Sequence, residues 1–231
     1  MTLTSALIIL ATVLVTTFIS GIFGMAGGII FMGVLATLVP VATAMIIHGS
    51  IQMISNGYRA YLWRKHIQWP IFRHYALGSL AAVGLLFALS WRPDRQTVYL
   101  MLGLTTLLVW LPKSVVDLDI QKRFQAEGAG FVVQALNTVA GVAGPLLDLF
   151  FVRTDMTRQA IVATKAVTQV LAHFVKIIFW SVPMLAAAGL QALPPAWLIL
   201  LAAPLSMLGT TLGGKVLERM TDVNFKRGMK Y

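Results

Sequence analysis

The stretch His48-Gly49-Ser50-Ile51-Gln52-Met53-Ile54-Ser55-Asn56-Gly57-Tyr58-Arg59 lies inside a hydrophobic run from Val41 to Trp63. That run is long enough to cross a bilayer as a helix. His48, Gln52, Asn56 and Arg59 are spaced 4, 4 and 3 residues apart, which places them on one helical face. Adding 117 to each number gives Lys165, Gln169, His173 and Lys176, again inside a long apolar run. The same shift carries Gly24 to Gly141, Gly27 to Gly144 and Trp63 to Trp180, with no gap needed between Gly24 and Trp180. The pattern predicts an all-α integral membrane protein built from two copies of one unit, each with a polar and cationic stripe turned inward.

Composition agrees. Of 231 residues, 58% are hydrophobic and only 11% charged, with a mean hydropathy of +0.82; a soluble domain carries nearer a quarter charged residues. The net charge of +10 does not point to nucleic acid, because the basic residues cluster at the ends of apolar segments, where they set orientation. There are no cysteines, which removes disulfide, thiolate and cysteine-zinc chemistry. Met1 to Ser20 has no basic leading region and no convincing cleavage site, so it is expected to be retained as a helix.

Leu3 to Ile19 is a first apolar helix, broken at Gly21-Ile22-Phe23-Gly24-Met25-Ala26-Gly27-Gly28. Gly24 and Gly28 form a GxxxG that serves either tight helix packing or a ligand-lining break. Ile29 to Val39 is too short to span alone and reads as a half-helix. Pro40 opens the stripe helix to Trp63. Pro70 to Ser90 and Gln96 to Leu111 are further spans, joined by a turn at Trp91-Arg92-Pro93-Asp94-Arg95. Gly128 to Val152 is interrupted at Gly141-Val142-Ala143-Gly144-Pro145, which predicts a second broken hairpin. Gln159 to Trp180 is the second stripe helix, Ser181 to Ala196 a proline-bearing connection, and Trp197 to Gly214 a span with a Gly209 to Gly213 GxxxG. The expected organisation is a first membrane repeat over 1–112, a cytoplasmic linker over 113–127 and a second repeat over 128–231. A counterpart of Gln96 to Leu111 would begin near Thr221, so the second repeat is expected either to lack its last helix or to be cut short.

Fourteen of the 18 Lys and Arg residues fall at the end of the first stripe helix, in the linker, before the second stripe helix and in the tail. Placing those four regions in the cytoplasm threads the chain consistently. The first stripe helix then runs inward and the second outward, so the two repeats have inverted topology. Each is a glycine-broken helix hairpin followed by transmembrane helices, an arrangement typical of transporters.

Lys165 stands well inside an apolar helix, where a lysine costs roughly 2.5–3.5 kcal/mol unless it faces a cavity or partner. His48 holds the matching place. Gln52 and Gln169 are identical across the copies and act either as donors to a ligand or as interhelical glue. Asn56 and His173 follow one turn on. Arg59 and Lys176 lie near helix ends, where snorkelling is expected. Asp148 is a carboxylate within an apolar segment; with His48 it is a candidate for proton coupling, or it pairs with Lys165. The candidate substrate site is therefore His48, Gln52, Asn56, Lys165, Gln169 and His173, with Gly24, Gly27, Gly28, Gly141 and Gly144 at the breaks. A cation, an imidazole, amide donors and broken-helix N-termini together suit a small anion. No metal or cofactor is called for.

The order of helix, glycine break, short apolar run, proline-started long helix and basic loop resembles the sulfite exporter TauE/SafE family. The likeness rests on Ser20-Gly21-Ile22-Phe23-Gly24-Met25-Ala26-Gly27-Gly28 and its second-copy partner Ala140-Gly141-Val142-Ala143-Gly144-Pro145, and covers nearly the whole chain. It implies a multi-pass transporter of the cell (inner or plasma) membrane, carrying sulfite or sulfonates and driven by an ion or proton gradient. An anion channel is the alternative. A membrane-embedded enzyme fits less well, since His48, His66, His74 and His173 are scattered and neither His-Glu-x-x-His nor Gly-x-Ser-x-Gly occurs. The expected partners are a small anionic substrate and the lipid bilayer, with the oligomeric state open.

Overall fold

Thr2 caps the first helix by accepting the Ser5 N–H at 3.2 Å, and the helix then runs without a break to Phe23. The computed structural model describes residues 2–24, 26–89, 93–107 and 118–228. Among them the chain forms α1 (Leu3–Phe23), α2 (Ala26–Leu38), α3 (Val41–Leu62), α4 (Trp69–Leu89), α5 (Arg95–Leu107), α6 (Gln125–Ala140), α7 (Gly144–Phe151), α8 (Arg158–Ala188), α9 (Ala196–Arg219) and α10 (Asp222–Gly228). No strand occurs among the described residues.

The polarity is inside out for a protein in water. Thr16, Thr17, Gln52, Asn56, Arg59, Lys165, Gln169 and Lys176 are buried, while Leu3, Leu7, Leu80, Leu100 and Leu200 are exposed. A lipid-facing surface accounts for this, because acyl chains solvate leucine and cannot solvate an amide or a charge. Among the described residues four segments are long and apolar enough to cross a membrane: Leu3–Phe23, Trp69–Leu89, Arg158–Ala192 and Ala196–Arg219. Helix α3 has 22 residues, but its polar stripe lowers its hydropathy.

Both predicted breaks are present. Helix α1 ends at Gly24 with φ +92°, and α6 ends at Gly141 with φ +85°, the left-handed conformation that glycine adopts without a Cβ penalty. The chain then restarts as α2, 13 residues, and α7, 8 residues. At about 1.5 Å per residue neither half-helix crosses a bilayer.

Helices pack in reciprocal pairs. The first helix of the chain, α1, lies on α9; α6 lies on α4; α3 and α8 meet in the middle. The outer pairs touch backbone to backbone. A methyl at Gly209 would stand 2.6 Å from the Leu14 carbonyl oxygen, one at Gly78 1.9 Å from that of Glu127, and one at Gly130 2.0 Å from that of Tyr75. The GxxxG at Gly209 and Gly213 is thus a packing motif. Helices α3 and α8 run antiparallel: Gly49 meets Ile177, Gly57 meets Val170, and the Gln68 N–H donates to Thr164 Oγ1 at 3.0 Å.

Several boundaries differ from expectation. Helix α8 does not stop at Trp180 but runs on to Ala188 with Pro183 inside it, 31 residues in all, a length of about 46 Å. Proline removes the donor that would have met the Phe179 carbonyl one turn back, a loss that membrane helices tolerate. Helix α9 likewise holds Pro204 and runs on to Arg219. Helix α6 begins at Gln125, inside the stretch expected as linker, and Ile120 is packed against its cluster. Where the counterpart of the Gln96 to Leu111 span would begin, the chain forms only the seven-residue α10 from Asp222, and Arg158 Nη1 donates to Asp222 at 2.9 Å to hold it against α8. Trp91, Arg92, Lys113 and the end of the Gln96 to Leu111 span lie outside the described residues.

Candidate functional site

Helix C-termini carry exposed carbonyls and a partial negative charge. Two such ends, those of α1 and α6, lie buried at the breaks. Arg59 Nη1 donates to the Gly24 carbonyl at 2.8 Å, and Lys176 Nζ donates to the Gly141 carbonyl at 2.8 Å. Donors and acceptors of the two bonds are related by the same 117-residue shift. Both cations are buried, which corrects the expectation that they snorkel. They cap the broken helices, and each is held by a carbonyl that the left-handed glycine turns inward.

Neutralising the carbonyl ends leaves the opposite ends of α2 and α7 as the uncompensated poles. Between them lies a cavity lined by Gly24, Gly28, His48, Gln52, Asn56, Asn137, Val142, Ala143, Gly144, Gln169 and His173. Its free volume, counted as positions open to the centre of a water molecule, is about 20 Å³. A single water needs about 10–15 Å³ on that measure, so the space suits a water or an ion of few atoms.

Most of the predicted residues meet here. Gly24, Gly28, His48, Gln52, Asn56, Gly144, Gln169 and His173 all line the cavity. Gly27, Gly141, Lys165 and Asp148 do not. A methyl at Gly27 would stand 1.8 Å from the Thr16 carbonyl oxygen, so Gly27 closes the α1–α2 hairpin on its far side. Gly141 is packed against Met32 and Met45. Lys165 is fully buried and forms an ion pair with Asp148, with a second bond to the Phe23 carbonyl at 3.4 Å. Of the two roles left open for Asp148, pairing with Lys165 is the one the structure displays.

The amide of Gln52 is oriented by its neighbours. Arg59 Nη1 donates to Asn56 Oδ1 at 2.8 Å. That fixes the Asn56 amide so that Nδ2 donates to the Gln52 backbone carbonyl at 2.9 Å and toward Gln52 Oε1 at 3.5 Å. Gln52 is left with Nε2 as its free end, buried and without a partner. The assignment follows from the hydrogen-bond network. Gln169 Nε2, at the matching position, is also buried and unpartnered, as are His173 Nδ1 and Asn137 Oδ1. An unmet buried donor costs about 1–3 kcal/mol, which an acceptor held in the cavity would offset. His48 contributes differently. Lys176 Nζ donates to its Nδ1 at 2.8 Å, and its Nε2–H then donates to the Gly28 carbonyl at 2.9 Å. Both ring nitrogens are committed, and the ring faces the cavity as a wall.

Asn137, Val142 and Ala143 were not anticipated as lining residues. Asn137 stands 117 residues beyond Ser20, so a polar residue recurs at the matching place just before each break, and that was the available signal. Val142 and Ala143 belong to the break itself.

Among the described residues no group of three or more His, Asp and Glu side chains could hold a metal ion. The family model described as Sulfite exporter TauE/SafE matches residues 8–230. No curated protein matches the chain, and no solved structure does.

Proposed function

Because the chain belongs to the sulfite exporter TauE/SafE family, a family of membrane transporters, we propose that it is a secondary transporter whose substrate binds between the two helix breaks. The observation that carries the proposal is the pair of Gln52 and Gln169 amide donors, buried without partners on the wall of a cavity between two half-helix N-termini. Donors and positive helix ends select an anion. The compact cavity favours an inorganic sulfur oxyanion such as sulfite over a sulfonate with an organic tail. Ion gradients drive the flux, and the inner or plasma membrane is the site of action.

The test is sulfite binding and flux with purified protein and proteoliposomes. Gln52→Leu with Gln169→Leu removes two charge-assisted hydrogen bonds, each contributing about 1.5–3 kcal/mol. Sulfite affinity is expected to fall ~10- to 100-fold per amide, with helix content unchanged. Undiminished affinity in the double variant would exclude these amides as ligands.

The proposal includes inverted repeats. Its support is the antiparallel course of the matching helices α3 and α8 and the reciprocal pairing of α1 with α9 and α6 with α4. The protein has no native cysteine, so single cysteines can be labelled with an impermeant reagent. Lys65, after α3, and Asp155, before α8, are exposed, as is Gln191, after α8. Cysteines replacing Lys65 and Asp155 should react from the cytoplasmic side and one replacing Gln191 from the other. Labelling of the Lys65 and Gln191 positions from one side would mean repeats of the same orientation.

A further inference from the structure

Two cations converge on the buried C-terminus of α1. Arg59 donates to the Gly24 carbonyl at 2.8 Å, and Lys165 donates to the preceding carbonyl, that of Phe23, at 3.4 Å. The carboxylate of Asp148, reaching in from α7, is ion-paired with Lys165. The repeat shift shows why this cluster exists only once. In one direction the stripe helices are joined by His48 and Lys176, bonded at 2.8 Å. The equivalent pair in the other direction is Lys165 and Arg59, two cations that cannot bond each other. Lys165 turns instead to Asp148. The residue matching Asp148 is Phe31, which stacks on His48 with ring centroids 5.6 Å apart. One copy therefore has ring on ring where the other has carboxylate on ammonium.

We propose that Asp148 and the transported anion alternate as the counter-charge of this cluster, so that the anion binds as Asp148 takes up a proton. This rests on the anion-transport reading and adds its coupling. Lys165 Nζ lies 3.2 Å from the position a Gly24 Cβ would occupy, and Gly24 forms part of the cavity wall. Only a glycine's width separates the ammonium from the cavity. When Asp148 gains a proton on its carboxylate oxygen, the Asp148–Lys165 ion pair breaks and one ammonium–anion pair forms in its place. An anion and an ionised Asp148 compete for the same ammonium, and by linkage each weakens the other. Anion affinity then falls as pH rises.

The groups around Asp148 leave it as the titrating member. Helices α2, α5 and α6 pack against α7. Neither α2 nor α1 contains a titratable side chain. In α6 the titratable group is Glu127, bonded to His74 of α4 at 2.7 Å. In α5, Arg95 is bonded to the Tyr99 hydroxyl at 2.9 Å. From α8 and α3 come the two cations, and both nitrogens of His48 are already committed.

The measurement is the infrared difference spectrum of the full-length protein on adding sulfite, which has no carbonyl of its own. The expected result is the appearance of a protonated carboxylic acid carbonyl band in the wild type, its loss in Asp148→Asn and its shift in Asp148→Glu, a variant that keeps the charge. Isothermal binding across the pH range should show affinity falling about tenfold per pH unit on the alkaline side in the wild type and a flatter profile in Asp148→Asn after correction for sulfite's own titration. Sulfite binding without an acid carbonyl band, or a band that persists in Asp148→Asn and does not move in Asp148→Glu, overturns the coupling while leaving the transport reading intact. A wild type that binds no sulfur oxyanion removes the transport reading beneath it.

Discussion

Lys165→Met is expected to destabilise the protein strongly, although it removes a charge from the interior of an apolar helix. In isolation the change would favour insertion, since a central lysine costs roughly 2.5–3.5 kcal/mol on the insertion scale. The tertiary structure reverses the sign. Lys165 has no exposed side-chain surface, and its partner Asp148 retains 22%. Removing one member of a buried pair strands the other, at a cost of about 3–5 kcal/mol. The residual exposure of Asp148, and its freedom to take a proton, put the expected loss near the lower end, ~3 kcal/mol. Thermal unfolding in detergent, followed by helix content, reads this directly. Lys165→Met with Asp148→Leu removes both charges and should recover most of the stability, giving a large coupling in a double-mutant cycle. The double variant should still fail to bind sulfite, which separates the cation's role toward the anion from its role toward Asp148. A Lys165→Met protein as stable as the wild type would show that the ion pair holds nothing together.

Two adjacent glycines should fail in different ways. Gly27→Ala places a methyl 1.8 Å from the Thr16 carbonyl oxygen and 2.6 Å from Ser20 Oγ. The first contact is with backbone, which cannot swing aside, so the α1–α2 hairpin must open. Overpacking in cores typically costs about 1–3 kcal/mol, and a collision this deep should reach or exceed the top of that range. Folded protein is expected to be scarce. Gly28→Ala meets Gln52 Nε2 at 3.4 Å and His48 Nε2 at 3.7 Å, both ordinary contacts. It should fold normally while its methyl occupies the cavity beside the Gln52 donor, reducing sulfite affinity by ten-fold or more. Yield and melting temperature, set against binding, distinguish the two variants. If Gly27→Ala folds and Gly28→Ala binds sulfite as the wild type does, the assignment of one face to packing and the other to the cavity is wrong.

The features legible in the sequence were those set by local chain chemistry. The breaks at Gly24 and Gly141 could be read because glycine alone adopts the left-handed turn cheaply. The half-helix after the first break followed from its length, and the shared face of His48, Gln52, Asn56 and Arg59 from the 3.6-residue period. The shift of 117 residues brought the second stripe with it. These readings need no knowledge of what lies opposite each face, and the structure retains the breaks and the faces, with eight of the anticipated residues around one cavity. What only the tertiary structure decided is which partner each side chain takes. Arg59 and Lys176 look like snorkelling residues along the chain, yet a glycine 35 positions earlier in sequence turns a carbonyl into the reach of each. Pro183 looks like a helix stop, yet the helix continues through it. Gly27 and Gly28 are neighbours in a single break, but consecutive helical residues point about 100° apart, so one meets α1 and the other the cavity. Lys165 and His48 occupy equivalent places, and the difference between them comes from the residues facing them: Lys176 can donate to an imidazole, whereas Arg59 can only repel an ammonium and leave Asp148 to bind it. Periodicity assigns a residue to a face; the choice of partner is set by charges and carbonyls on other helices, brought within a side chain's length only by folding.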